Sequence, residues 1–152
     1  MKKYRLPKEF AEKWVAALRS GEYKQGDQTL LSYEEIDEFT VDINKKSYCC
    51  LGVACALTEV PESVYSGESF ISEEEDVDTA YMLKEGYPEE LVGGGGLPYL
   101  LSLLNDGIKT DQHHATNHLS KVHLRKPYFL GETYKLNFSE IADFIEDNIE
   151  FY

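Results

Sequence analysis

The sequence predicts a single α+β domain in which amphipathic helices pack on a short antiparallel sheet or hairpin. Three stretches predict it. Phe10, Ala11, Trp14, Val15 and Leu18 recur at helical spacing and make one apolar stripe. Phe39-Thr40-Val41-Asp42-Ile43 alternates apolar and polar residues, the period of a half-buried strand. Tyr48 to Leu57 carries no charge and contains all three cysteines, which reads as a buried element with the rest of the chain wrapped around it. A chain of 152 residues with 42% hydrophobic content is long enough to enclose one core.

In order, residues 7–20 form the first helix, with Pro7 in its first turn, Trp14 in the core and Gly21 as the stop. Residues 22–28 are a polar turn. Residues 29–33 and 39–43 are strands joined by the charged link 34–38, a hairpin expected to lie over the first helix. The charge-free run then gives a buried helix from about Cys50 to Thr58, with small residues Gly52, Ala54 and Ala56 for close packing and Pro61 ending it. Residues 59–92 carry eleven acids against one lysine and read as a solvated, loop-rich segment, with a short helix starting at Pro88. Gly93 to Gly96 is a hinge, since no phosphate-cradle motif follows it. Residues 97–104 make a second buried helix that stops at Asn105-Asp106-Gly107. Val122, Leu124 and the Tyr128-Phe129-Leu130 group suggest two strands around Lys126-Pro127 or Gly131. Asn137-Phe138-Ser139-Glu140 is a capping box that opens the last helix.

Charge excludes several classes of function. The formal net charge is −13 and the sequence pI about 4.7, so nucleic-acid phosphate is repelled and basic partners are attracted. No run approaches the ~18 apolar residues that span a membrane. An odd cysteine count without a secretory pattern points to a reducing cytoplasm: Met1-Lys2-Lys3 resembles a signal start, but Glu9, Glu12 and Lys13 interrupt any apolar run after it. Acidic residues concentrate at Glu73, Glu74, Glu75, Asp76 and Asp78, and on the last helix at Asp143, Glu146, Asp147 and Glu150, a face with no base of its own. Both surfaces are expected to meet a basic partner. Residues 107–136 have the opposite balance, with five bases against two acids and all four histidines. There His113, His114, His118, His123, Arg125, Lys126 and Tyr128 are the candidate ligand-binding residues for a small anion or nucleotide. The alternative is that this basic segment packs beside the acidic one.

The cysteines admit two main readings. As small hydrophobes they pack the core. As nucleophiles, Cys49 or Cys50 would gain thiolate character in the first turn of a helix, with a histidine such as His123 as base, as in a cysteine-dependent hydrolase. A zinc site would draw on Cys49, Cys50, Cys55 and the histidine cluster, but the one pair with permitted spacing, Cys50 and Cys55, is turned apart on a helix by its separation of five, and the acidic run lacks the spacing of a calcium loop. No metal and no cofactor is expected.

Three blocks carry a resemblance: Trp14-Val15-Ala16-Ala17-Leu18-Arg19-Ser20-Gly21-Glu22-Tyr23-Lys24-Gln25-Gly26; Tyr48-Cys49-Cys50-Leu51-Gly52-Val53-Ala54-Cys55; and Leu103-Leu104-Asn105-Asp106, followed at a distance by Phe138-Ser139-Glu140-Ile141-Ala142-Asp143-Phe144-Ile145-Glu146. Together they resemble a family of small bacteriophage and prophage proteins. In that family the Asn-Asp turn runs almost directly into the last helix, so residues 108–136 look like an insertion here. The resemblance implies context rather than chemistry: a phage accessory protein in the cytoplasm of a bacterial host. With the charge, it yields the expectation of a non-enzymatic protein that modulates a host protein, in a counter-defence role. A sponge for a small anionic signal is the alternative, and the hydrolase stands behind both.

Overall fold

The computed structural model describes residues 2–69, 71, 76–93, 96–111 and 117–152. The elements are β1 (Tyr4–Leu6), α1 (Lys8–Arg19), β2 (Leu31–Glu35), β3 (Val41–Tyr48), α2 (Cys50–Ala56), α3 (Glu62–Tyr65), α4 (Asp76–Lys84), a 3₁₀ turn (Glu89–Leu91), α5 (Gly96–Asp106), β4 (Ile108–Lys109), β5 (Thr133–Tyr134), α6 (Phe138–Asn148) and β6 (Ile149–Phe151). This is the α+β fold expected, with three two-stranded sheets beside the helices among the described residues.

The apolar stripe of α1 buries Ala11, Trp14, Val15 and Leu18, and α1 lies along α6. The capping box on α6 forms as its sequence requires: Asn137 accepts from the Glu140 N–H at 2.8 Å, and Glu140 accepts from the Asn137 N–H at 2.9 Å. Between α1 and α5 sits α2, with Cys50 to Cys55 all buried. Its small residues permit this. A Cβ on Gly52 would stand 1.6 Å from the Leu30 carbonyl oxygen, so that backbone lies directly on the glycine. The Trp14 indole N–H donates to the Cys50 carbonyl at 2.9 Å and fastens α1 to α2. Gly107, at φ +113, turns the chain out of α5 in a conformation that L side chains rarely adopt.

Four expectations are corrected. The segment 59–92 holds more helix than expected: its described residues contain α3, α4 and the 3₁₀ turn that begins after Pro88. Residues 122–130 form no strand. The ladder in that region is β4 with β5, Ile108 opposite Tyr134 and Lys109 opposite Thr133. The last helix stops at Asn148, where Ile149 turns extended at φ −116 to enter a pair that periodicity did not reveal: β6 runs parallel to β1, Tyr4 opposite Ile149 and Leu6 opposite Phe151. The Lys8 N–H donates to the Tyr152 carbonyl at 2.7 Å, and the Tyr152 N–H to the Leu6 carbonyl at 3.0 Å.

The fourth correction concerns the hairpin. β2 and β3 pair antiparallel, and the base is anchored by buried Leu30, Leu31 and Tyr48. The alternating residues do not lie on α1, however. Ile36, Phe39, Val41 and Ile43 are 64%, 94%, 44% and 64% exposed. Tyr33 faces Lys46 while the next residue, Glu34, faces Asp42, so residues 43–45 are extruded from the ladder and the hairpin projects.

Candidate functional site

The three blocks that carried the resemblance meet at one buried side chain, Asn105, at the end of α5. Its Oδ1 accepts from the Cys50 N–H at 3.2 Å and from Gln25 Nε2 at 3.0 Å. Its Nδ2 donates to the Gly26 carbonyl at 2.8 Å and to Asp106 Oδ1 at 3.0 Å. Gln25 Nε2 also reaches the Leu136 carbonyl at 2.9 Å, which brings in the approach to α6. Asn105 is fully buried and its amide has every partner it can use.

Next to this hub a cleft of about 280 Å³ opens, with Gln28, Cys49, Tyr99, Ser102 and Asp106 in its wall. Asp106 Oδ1 accepts from the Gln28 N–H at 3.0 Å. That contact accompanies a left-handed backbone at Gln28, φ +68, the only such non-glycine among the described residues. The wall is therefore a fixed surface with a carboxylate, an amide, a hydroxyl and an aromatic ring. Sequence reasoning assigned Gln28 to a turn, Asp106 to a helix stop and Tyr99 and Ser102 to a buried helix. The left-handed glutamine and the cleft have no local signature in the sequence.

Cys49 is the N-cap of α2, its sulfur accepting the Gly52 N–H at 3.4 Å, and it is 4% exposed. Burial pushes its thiol up to about 11, outweighing the backbone N–H groups of Gly52 and Leu51, and the Asp106 charge pushes the same way. Cys50 is fully buried; its S–H donates to the Leu101 carbonyl at 3.6 Å, and burial holds it and Cys55 well above the usual thiol range. These are the properties of core cysteines rather than of an activated thiolate. All three should resist alkylation of the native protein between about pH 5 and about pH 9 and label once it unfolds. Rapid labelling of Cys49 near neutral pH, read by mass spectrometry, would contradict this description.

The histidine-bearing segment is tied to α6. His113 and His114 lie outside the described residues. The His118 ring packs edge-on against Tyr99, centroids 5.5 Å apart. His123 is exposed, with Nε2 3.9 Å from Asp147, and its backbone N–H donates to Asn148 Oδ1 at 2.7 Å. Arg125 grips Asp147 with two bonds of 2.8 and 3.0 Å and reaches Asp143 at 3.2 Å. Lys126 donates to the Lys135 carbonyl at 3.0 Å, with Glu140 at 3.7 Å, and Tyr128 packs edge-on against Tyr134. A second cleft, of about 250 Å³, has His123, Arg125 and Lys126 in its wall, but Glu140 and Asp143 line it as well.

The acidic face of α6 is consequently not without bases. Arg19, at the end of α1, donates to Asp143 at 2.7 Å and to Glu146, and Arg125 covers Asp143 and Asp147 from the other side. The Arg19 and Arg125 guanidiniums hold the Glu146 and Asp147 carboxyls, respectively, below the usual carboxylate range. Glu150 faces Arg5 at 3.8 Å. Glu73, Glu74 and Glu75 lie outside the described residues; Asp76 and Asp78 fall in the first turn of α4. Among the described residues, no three His, Cys, Asp or Glu side chains are grouped to hold a metal ion, and no helix is long and apolar enough to cross a membrane.

A family model described as a domain of unknown function, DUF8296, matches residues 6–149, nearly the whole chain. No curated protein and no solved structure matches. The chain belongs to the DUF8296 family.

Proposed function

We propose that this DUF8296 protein is a non-enzymatic accessory protein of phage type that binds and modulates a basic protein of a bacterial host, in the host cytoplasm and in a counter-defence role. One observation carries the reading: many of the cations are spent internally while the acidic excess remains. Arg5, Arg19, Lys46, Arg125 and Lys126 each face a carboxylate of the same chain, in a protein with a net charge of −13. The field outside the molecule is therefore negative, and it steers encounter with a basic surface. The buried, protonated thiol at Cys49 supports a binding role over a hydrolytic one.

The test is capture of partners from a bacterial lysate with the immobilised protein. A basic protein should be retained at about 50 mM salt and released at about 0.5 M, where the Debye length has shrunk to a few ångströms. A complex indifferent to salt, or no complex, removes the proposal. The second reading, a sponge for a small anion, draws support from the cleft at His123, Arg125 and Lys126. The carboxylates already bound to Arg125 weigh against it, since an anion would have to displace them.

A further inference from the structure

We propose that the tip of the β2–β3 hairpin is the docking element of this protein, with Phe39 and Ile43 seated in an apolar recess of a partner protein whose rim carries lysine and arginine. The inference rests on the reading of the protein as an acidic binder and names the surface that does the binding.

Single exposed hydrophobics are ordinary; a cluster of them is not. Ile36, Phe39, Val41 and Ile43 lie within eight residues of sequence at the end of one hairpin, each at least 44% exposed. Phe39, at 94%, touches almost nothing of its own chain. These side chains are presented by an ordered turn. The Ile36 and Asp37 N–H groups donate to the Thr40 carbonyl at 2.9 and 3.3 Å, and the Phe39 N–H donates to Asp37 Oδ1 at 2.9 Å. The Asn44 N–H donates to Asp42 Oδ1 at 2.9 Å and fixes the extruded residues that carry Ile43. An anchor held in place before binding loses less entropy on docking than a loose one.

Charge identifies the occupant. Glu35, Asp37, Glu38 and Asp42 surround the apolar residues, and none has an ion pair among the described residues; the adjacent pair, Glu34 with Lys45, is 3.7 Å long. A recess that accepts Phe39 must therefore place cations around its mouth. A second copy of this chain would bring the same carboxylates against each other, so self-association is disfavoured. Strand addition is disfavoured too, because the irregular register and charged flanks blunt the hairpin's edges. Another exposed apolar pair, Phe129 and Leu130, has Glu132 as its only acid nearby in sequence, so no comparable collar names a partner there.

The test places the photoreactive residue benzoylphenylalanine at Phe39 in the full chain, with control positions at Glu12 and Glu132, and irradiates bacterial cells that contain it. Expected is a crosslink from position 39 to another protein, at apolar residues flanked by lysine or arginine. With the probe at Val41, Phe39→Ser should lower the crosslink yield about tenfold, as loss of a central aromatic anchor does, while the melting temperature stays unchanged. Crosslinks only from the control positions would overturn the hairpin but leave the acidic-binder reading standing. Crosslinks from no position would end both. A crosslink to a second copy, or to an acidic or neutral surface, overturns the proposed occupant.

Discussion

Gly52→Ala should leave little or no folded protein. Overpacking a core costs roughly 1–3 kcal/mol when neighbouring side chains can rotate away. Here the added methyl meets a backbone oxygen, the Leu30 carbonyl, at 1.6 Å, and further backbone atoms behind it at 2.6 and 3.1 Å. That carbonyl is also held by the Cys49 N–H at 3.3 Å, so it cannot swing aside without loosening the start of α2. The element displaced would be α2, which lies against both α1 and α5. A loss of about 4 kcal/mol or more is expected, a large share of the roughly 5–15 kcal/mol that keeps a domain folded. Gly131→Ala is the control. Gly131 has φ +91 but open space around it, so only the backbone penalty of about 1 kcal/mol applies. Soluble yield and thermal denaturation read both. A Gly52→Ala protein that melts within a few degrees of the parent would mean that α2 is not seated on Leu30 as described.

Asn105→Leu is expected to rank second. Leucine keeps the branched shape, with bulkier methyl groups in place of the amide, and removes four hydrogen bonds at once, those with Cys50, Gln25, Gly26 and Asp106. A buried polar group left without a partner costs about 1–3 kcal/mol, more than the bond itself contributed. The Cys50 N–H and the Gly26 carbonyl are left in that position, while Gln25 keeps its bond to the Leu136 carbonyl. Because the bonds share one side chain, their losses are not additive, and the total should fall near 3–5 kcal/mol. Denaturant titration measures it, and hydrogen exchange at the Cys50 amide locates it: that amide should lose protection before the α6 amides do. A loss below about 1 kcal/mol would show that the network only decorates a helix end that packing already fixes.

Gly52 and Asn105 mark the border between what the residues announce and what only assembly reveals. The stripe of α1, the Asn137–Glu140 box and the stop at Gly107 are local patterns, and each became the element it implied. The β1–β6 and β4–β5 pairs are only two or three residues long and join segments far apart in sequence, so periodicity had nothing to detect. Alternation at Phe39, Val41 and Ile43 pointed to a strand, but β3 begins only at Val41 with Phe39 in the turn before it, and the pattern does not say whether such residues meet the core or solvent. The cysteines show the same limit at the site. A first-turn cysteine is compatible with an activated or an inert thiol, and burial, a tertiary property, decides. The acids of α6 read as lacking bases because Arg19 and Arg125 are distant in sequence. Asn105 read as a turn residue because its four partners belong to other segments or to its neighbour.

The parallel pairing of β1 with β6 has a mechanical consequence. The strands that enter and leave this domain lie side by side and run the same way, Tyr4 beside Ile149 and Leu6 beside Phe151. Tension applied from outside pulls the entering strand backward and the leaving strand forward. The two then slide along each other, and their hydrogen bonds, including those of Lys8 and Tyr152, are loaded together in shear rather than opened one at a time. Forced unfolding is governed by the height of such a barrier rather than by equilibrium stability. A degradation motor gripping either end would thus meet this clamp before it reached the helices.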